Sequence, residues 1–292
     1  MKILVLGGTG TVGSQVVHEL LKRDTEVHVL TRKVKTRKDI PSGVIYVSGD
    51  LLNVDTIRSV FKNIDAVFLL NAVSLTETHE GLMALNGAIL GGVKNIVYLS
   101  VHQAEEAPHL PHFGAKLAIE TAIKASGIPY TILRPNNFYQ NDYWFKESLL
   151  KYNVYPQPLG NAGVSRVDVR DIAEAAAIAL TSDKHHGKTY NMVGPNLITG
   201  ESSAELWSSA LKKIITYGGD NLDAWEKQAL QYSPAWMVFD FKLMYSFFQL
   251  QGFKATREDI RRETALLGHE PRSYKDYVNE TAEIWKKEPV TK

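Results

Sequence analysis

The sequence predicts an α/β protein, a doubly wound parallel sheet covered by helices and followed by a smaller, mainly helical region. Three observations predict it. Short apolar runs alternate with amphipathic stretches as far as about Gly194, the signature of βαβ units. The opening residues pass from an Ile/Leu/Val run through glycines spaced G-x-x-G-x-x-G into an amphipathic stretch. From about Gly200 onward only helical periodicity continues.

Taken in order, Met1–Leu6 reads as a buried strand, Gly7–Gly13 as a turn, and Val12–Lys22 as a helix. That helix carries Val12, Val16 and Leu20 with Val17 and Leu21 on one side. Further strands fall at Glu26–Thr31, Val44–Ser48, Ala66–Leu70, Asn95–Ser100 and Tyr130–Leu133. Helices fill the gaps near Asp55–Phe61, Glu77–Leu90 and His112–Ala125. Asp168 reads as the N-cap of an alanine-rich helix, Val169–Thr181, and Lys188–Val193 as a late strand. Beyond Gly200 the helical segments are Ser202–Ile214, Leu222–Gln231, Ala235–Leu250, Arg257–Leu266 and Tyr274–Lys286. The chain therefore divides into residues 1–195, a nucleotide-binding domain of Rossmann type, and residues 196–292, a substrate-binding or lid region. Its aromatics, among them Trp225, Tyr232, Trp236, Phe239, Phe241, Tyr245, Phe247, Phe248 and Phe253, are expected mostly in the core. Some are expected to line a pocket for an apolar or aromatic small molecule.

Composition narrows the function classes. The chain has 292 residues, 44 % of them hydrophobic, enough for a sizeable core. A net charge of +1 argues against nucleic acid or an anionic membrane as the main partner. With no cysteine, the chain has no thiolate nucleophile or cysteine-ligated metal, and no apolar run reaches the length of a membrane span. The N-terminus opens directly on the first strand, leaving no room for a signal peptide, so a cytoplasmic location is expected; a monomer or homodimer is expected as well. The cluster His102, Glu105, Glu106, His109 and His112 matches no metal-site spacing, and no metal is expected. His185-His186 reads as a solvent-facing pair.

The glycine turn between strand and helix points to a dinucleotide, because glycines let backbone approach a pyrophosphate and the helix start offers N–H groups. The second strand ends Thr31-Arg32-Lys33, with Lys35, Arg37 and Lys38 close behind. An NAD site usually carries a carboxylate at that place. A guanidinium instead suits a 2′-phosphate, so NADP(H) is the expected cofactor, with a solvated basic loop as the alternative.

Several motifs together carry a more specific resemblance. They are the Gly7–Gly13 turn, Gly49-Asp50-Leu51, Tyr98-Leu99-Ser100, His112-Phe113-x-x-Lys116 and Ile128-Pro129-Tyr130-Thr131-Ile132-Leu133-Arg134-Pro135-Asn136-Asn137-Phe138. Val169-Arg170-Asp171-Ile172-Ala173, Gly187-Lys188-Thr189-Tyr190 and Leu267-Gly268-His269-Glu270-Pro271-Arg272-Ser273-Tyr274 fit the same pattern. With these the chain resembles the NmrA-like atypical short-chain dehydrogenase/reductases along nearly its whole length, most loosely between Gly218 and Gly252. The resemblance implies that Gly7, Thr9, Gly10, Thr11, Val12 and Gly13 cradle the pyrophosphate, and that Arg32 with Lys33 meets the 2′-phosphate. It implies that Asp50 and Leu51 flank the adenine, while Asn71, Ala72 and Val73 run past the ribose towards the nicotinamide. Lys116 is then placed at the nicotinamide ribose, and Pro135, Asn136, Asn137 and Phe138 wall the nicotinamide pocket. Asp50 and Asn71 have simpler readings as turn or capping residues, and Lys116 as an i,i+4 partner of Glu120.

Ordinary short-chain dehydrogenases use Tyr-x-x-x-Lys, yet none of the 13 tyrosines here has a lysine four residues on. His112 stands where that tyrosine would be, either as a proton donor or as a packed side chain, and Ser100 either touches substrate or ends its strand. With Lys116 these form the candidate catalytic set. The sequence thus favours an NADPH-dependent oxidoreductase passing a hydride to a flat, mostly apolar acceptor such as a quinone, aromatic carbonyl or conjugated dye. A non-catalytic NADP(H) sensor is the alternative.

Overall fold

The computed structural model describes residues 1–32 and 42–287. They form two compact units. The first unit comprises Met1–Pro135, Val169–Met192 and Ala265–Gly268, and the second Asn136–Asp168, Val193–Thr264 and His269–Lys292.

In the first unit, β1 (Lys2–Val5), β2 (Glu26–Thr31), β3 (Val44–Ser48), β4 (Ala66–Leu69), β5 (Asn95–Leu99) and β6 (Tyr130–Pro135) run parallel. After β7 (Val154–Tyr155) in the second unit, β8 (Lys188–Met192) joins the same sheet, whose order is β3-β2-β1-β4-β5-β6-β8. β4 and β5 are buried along their whole length, as parallel strands covered on both faces must be. β3, at the edge, is the most exposed.

The pleat sends alternate residues to opposite faces. Leu4, Leu6, Val67, Leu69, Ile96 and Tyr98 pack with residues of α2 (Val54–Val60), α3 (Glu77–Gly91) and α4 (Pro111–Ala125). The intervening positions face the layer where α1 (Thr11–Leu21) packs against α5 (Val169–Leu180). Asn95 helps tie that layer to the sheet, its Nδ2 donating to the Ala179 carbonyl at 2.9 Å.

The two units regroup the chain relative to a single cut at 195/196. Between β6 and α5 the chain leaves the sheet for residues 136–168, which belong with the helical C-terminal part, and then returns for α5 and β8. The reason is topological, because β6 and β8 are parallel and need a long crossover.

The second unit holds α6 (Gly200–Leu211), β9 (Thr216–Tyr217), α7 (Leu222–Ala229), α8 (Ala235–Gln251), α9 (Arg257–Leu267, its last residues in the first unit) and α10 (Tyr274–Lys287). β7 and β9 pair in parallel, each too short for a sequence signal. At the centre, Arg166 is fully buried and donates to Asp142 Oδ1 at 2.8 Å, Tyr155 Oη at 3.0 Å and the Phe138 carbonyl at 2.7 Å. Asp142 Oδ2 accepts in turn from Trp207 Nε1 at 3.0 Å and Tyr274 Oη at 2.5 Å. Burial drives the Tyr155 and Tyr274 hydroxyls well above the usual tyrosine range, so both remain donors.

Two expectations are corrected. Of the nine aromatics between Trp225 and Phe253, only Tyr245, Phe247, Phe248 and Phe253 are buried, while Tyr232 and Phe239 are 72 % and 57 % exposed. α8 is apolar on more of its circumference than its packing covers. His185 is half-buried rather than solvent-facing, because its Nδ1 lies 2.9 Å from Tyr190 Oη.

Candidate functional site

The β1–α1 turn is dictated by its glycines. Gly7 has φ +70°, a conformation side chains resist, and its carbonyl accepts from the Gly10 N–H at 2.9 Å. A Cβ on Gly13 would stand 2.2 Å from the Gly7 carbonyl oxygen, so only glycine lets the helix close onto the turn. Gly10 differs. Its φ of −91° suits any residue, and a Cβ there would meet nothing nearer than 3.4 Å. What it leaves open is the start of α1, where none of the described side chains caps the first N–H groups. Thr11, Val12 and Gly13 form that first turn, with Thr9 exposed just before it.

This turn opens onto a cleft of about 840 Å³ at the carboxyl ends of β1, β2 and β4. Of the nucleotide-binding residues named from the sequence, Gly7, Thr9, Gly10, Arg32, Asp50, Leu51, Asn71 and Ala72 line it. Thr11, Val12, Gly13 and Val73 adjoin these along the chain without lining it. Arg32 is exposed at the cleft's rim, just past β2, and Lys33 lies outside the described residues.

Asp50 closes its own turn, Oδ1 accepting from the Leu52 N–H at 2.9 Å. The N-cap of α2 is Asn53, whose Oδ1 accepts from Asp55 N and Thr56 N at 2.9 and 3.0 Å. Asn71 behaves unlike a turn former. It is 5 % exposed, and neither polar atom of its carboxamide has a hydrogen-bond partner among the described residues. A buried amide left so costs about 1–3 kcal/mol, so a carboxamide facing a cleft in this state is suited to a ligand.

The candidate catalytic residues stand outside the cleft lining, on β5 and α4. Ser100 follows β5, its N–H donating to the Leu133 carbonyl at 2.8 Å, and its buried hydroxyl helps lower the Glu120 carboxyl. His112 is buried in the first turn of α4, edge-to-face with Phe113 at 4.7 Å. Lys116 pairs with Glu77 of α3, Nζ donating to Oε1 at 2.7 Å. The i,i+4 alternative fails because Glu120 is taken by Arg134, whose Nε and Nη2 donate at 2.8 and 2.7 Å, and by Lys124. Burial would raise the Glu120 carboxyl, but these donors, Arg134 first, bring it below the usual range.

Pro135 ends β6, and Asn136–Phe138 belong to the second unit. There Asn136 Nδ2 donates to the Phe253 carbonyl at 2.8 Å, while Asn137 Oδ1 accepts from Arg166 Nε at 3.0 Å. The segment is thus pinned by the buried Arg166 network.

The NmrA-like family model matches residues 1–277. The chain belongs to the NmrA-like family. The NAD(P)H azoreductase of Xenophilus azovorans is 30 % identical over 231 residues, covering 78 % of this chain and 80 % of that protein. The NADPH-dependent quinone oxidoreductase of Escherichia coli, solved with NADPH, superposes with a TM-score of 0.85 at 21 % identity, covering 96 % of this chain and 99 % of that one. NmrA, a negative transcriptional regulator, superposes with a TM-score of 0.78 at 16 % identity, covering 98 % of this chain and 97 % of that one. At such identities both structures speak for the fold.

In this NmrA-like chain the sequence reading passed over Tyr46, Ser74, Thr76 and Glu80, which also line the cleft. Thr76 Oγ1 donates to Glu80 Oε1 at 2.5 Å. Tyr46 comes from edge strand β3, whose exposure pattern left its facing open. Glu77 was missed because nothing local marks a carboxylate as the partner of a lysine 39 residues away.

Proposed function

We propose that this NmrA-like protein is an NADPH-dependent oxidoreductase that passes a hydride to a flat, mostly apolar acceptor, such as a quinone, an aromatic carbonyl or a conjugated dye. One observation carries the nucleotide part. A single cleft holds the glycine turn, Arg32 and the unpartnered Asn71 carboxamide. The activities of the azoreductase relative and the quinone oxidoreductase neighbour support the reaction class.

NADPH, when bound, supplies the hydride, so the protein's task is binding and orientation. On this reading the uncapped first turn of α1, Thr11 to Gly13, donates N–H groups to the pyrophosphate, with Thr9 and Gly10 beside it. Arg32 clamps the 2′-phosphate, with Lys33 as a second cation. Asp50 and Leu51 flank the adenine, and Asn71, with Ala72 and Val73, satisfies its amide on the ribose and nicotinamide side. Lys116 donates to the nicotinamide ribose, and Pro135 to Phe138 wall the ring. Ser100 orients the acceptor. His112, packed on Phe113, holds the start of α4 rather than moving a proton. A quinone accepts the hydride at carbon or oxygen and a proton from water, so no tyrosine–lysine pair is required.

The test is NADPH oxidation by purified protein across quinones, aromatic ketones, and azo and triphenylmethane dyes. Turnover with at least one acceptor is expected. Tight NADPH binding with no consumption by any acceptor would overturn the enzyme reading. It would favour an NADP(H) sensor, the reading supported by the lack of any tyrosine with a lysine four residues on.

A further inference from the structure

The Lys116–Glu77 pair is a product of helix packing. A Cβ on Gly81 would come 2.4 Å from Ile119 Cδ1, so α3 and α4 approach as closely as they do because residue 81 is glycine. One turn back along α3 stands Glu77, and nearly one turn back along α4 stands Lys116, where the same approach joins their side chains. Both are buried, with side-chain exposures of 11 % for Lys116 and 2 % for Glu77. Burying two such charges is costly unless the pair is close and hydrogen-bonded, which it is at 2.7 Å. Glu77 is also the first residue of α3, where the helix dipole favours a carboxylate.

The pair lies outside the cleft lining, although Thr76 and Glu80, on either side of Glu77 along the chain, belong to it. The absent Cβ of Gly81 would also stand 3.2 Å from Asn71 Oδ1, so that glycine separates α4 from the unpartnered carboxamide. A lysine ammonium carries three N–H donors. Glu77 takes one, and the other two donate to none of the described residues.

We infer that Glu77 is a positioning residue, which anchors Lys116 through one N–H so that the remaining two are held for the ribose hydroxyls on the nicotinamide side of NADPH. This rests on the placement of Lys116 proposed above. A bare lysine would have to order four side-chain torsions on binding; the carboxylate orders them beforehand.

The experiment measures Kd for NADPH and for 2′,5′-ADP, which carries the adenosine and 2′-phosphate but no nicotinamide ribose. Wild type, Glu77→Gln, Lys116→Met and the double variant are compared. Glu77→Gln keeps the size and the acceptor oxygen but removes the charge. It should weaken NADPH about tenfold and leave 2′,5′-ADP unchanged. In the Lys116→Met background the same change should have no further effect on NADPH, because Glu77 acts only through Lys116. Equal loss for both nucleotides, or additive loss in the double variant, would overturn the inference by showing a general structural role. Tighter NADPH binding by Glu77→Gln would also overturn it, since Glu77 would then sequester the lysine. If Lys116→Met keeps wild-type NADPH affinity, the ribose assignment of Lys116 itself fails. If wild type binds neither nucleotide, the cofactor reading fails. Should Glu77→Gln not fold because the Lys116 ammonium is left uncompensated, the double variant, in which neither charge is left unpaired, is compared with Lys116→Met, and weaker NADPH binding by the double variant would still overturn the inference.

Discussion

At the scale of single residues, the glycines of the β1–α1 turn separate into structural and ligand-facing positions. Gly13→Ala drives a methyl into the Gly7 carbonyl and should lower Tm markedly, whatever its effect on binding. Gly10 has an ordinary φ and open space around it. Gly10→Val should therefore keep the wild-type Tm while abolishing NADPH binding, because its side chain fills the space meant for the pyrophosphate. Thermal melts beside a fluorescence titration read both, and retained affinity in folded Gly10→Val would show the turn to be merely structural. Arg32 belongs to the same scale. Charge-assisted hydrogen bonds contribute about 1.5–3 kcal/mol, so Arg32→Ala should weaken NADPH about 10- to 150-fold and leave NADH nearly unchanged. Equal loss for both nucleotides would remove Arg32 from the 2′-phosphate. Its place beside the cleft was readable from the chain, because the end of the second strand is a topologically defined position.

At the scale of elements, two charged contacts hold α4 in place, and they respond to pH differently from an apolar seam. Glu120, buried on α4, is held below the usual carboxylate range by Arg134 of β6 against the opposing pull of burial. A carboxyl lowered in the folded state adds stability above its unfolded value and loses it as pH falls through the folded one. Wild-type Tm should thus drop on acidification through and below the ordinary glutamate range. Glu120→Gln should be less stable at neutral pH and should show a shallower acid slope in a melting series. An unchanged slope would show that Glu120 contributes nothing to it. Gly81→Ala tests the α3–α4 approach, since its methyl would overlap Ile119; it should cost about 1–3 kcal/mol of stability through overpacking, read as a lowered Tm. The positions of these helices followed from periodicity and caps. Their partners did not, because the sequence marks which residues are apolar but not which helix faces which.

At the scale of the whole molecule, each unit has its own kind of interior. The first is a conventional apolar layer between sheet and helices. The second is organised around a buried ion pair, Arg166 with Asp142, extended by Tyr155, Tyr274 and Trp207. Removing one partner of a buried pair typically costs about 3–5 kcal/mol, so Arg166→Met should destabilise the second unit by that order. Urea unfolding would detect it, and a loss under about 1 kcal/mol would show that the network tolerates an uncompensated Asp142. The same network fixes Asn137 and Phe138.

What the sequence determined by itself is whatever depends on local chemistry. Strand and helix order came from hydrophobic period. The glycine turn came from backbone freedom, and the basic end of the second strand came from charge. Each is set by residues within one turn or one strand of each other. Tertiary structure decided the rest: that residues 136–168 join the C-terminal helices, that Glu77 rather than Glu120 receives Lys116, and that Asn71 is buried with no hydrogen-bond partner among the described residues. These depend on which surfaces meet across tens to more than a hundred residues of chain. Nothing in a residue's immediate neighbours records such a meeting, because it is settled only when the helices pack.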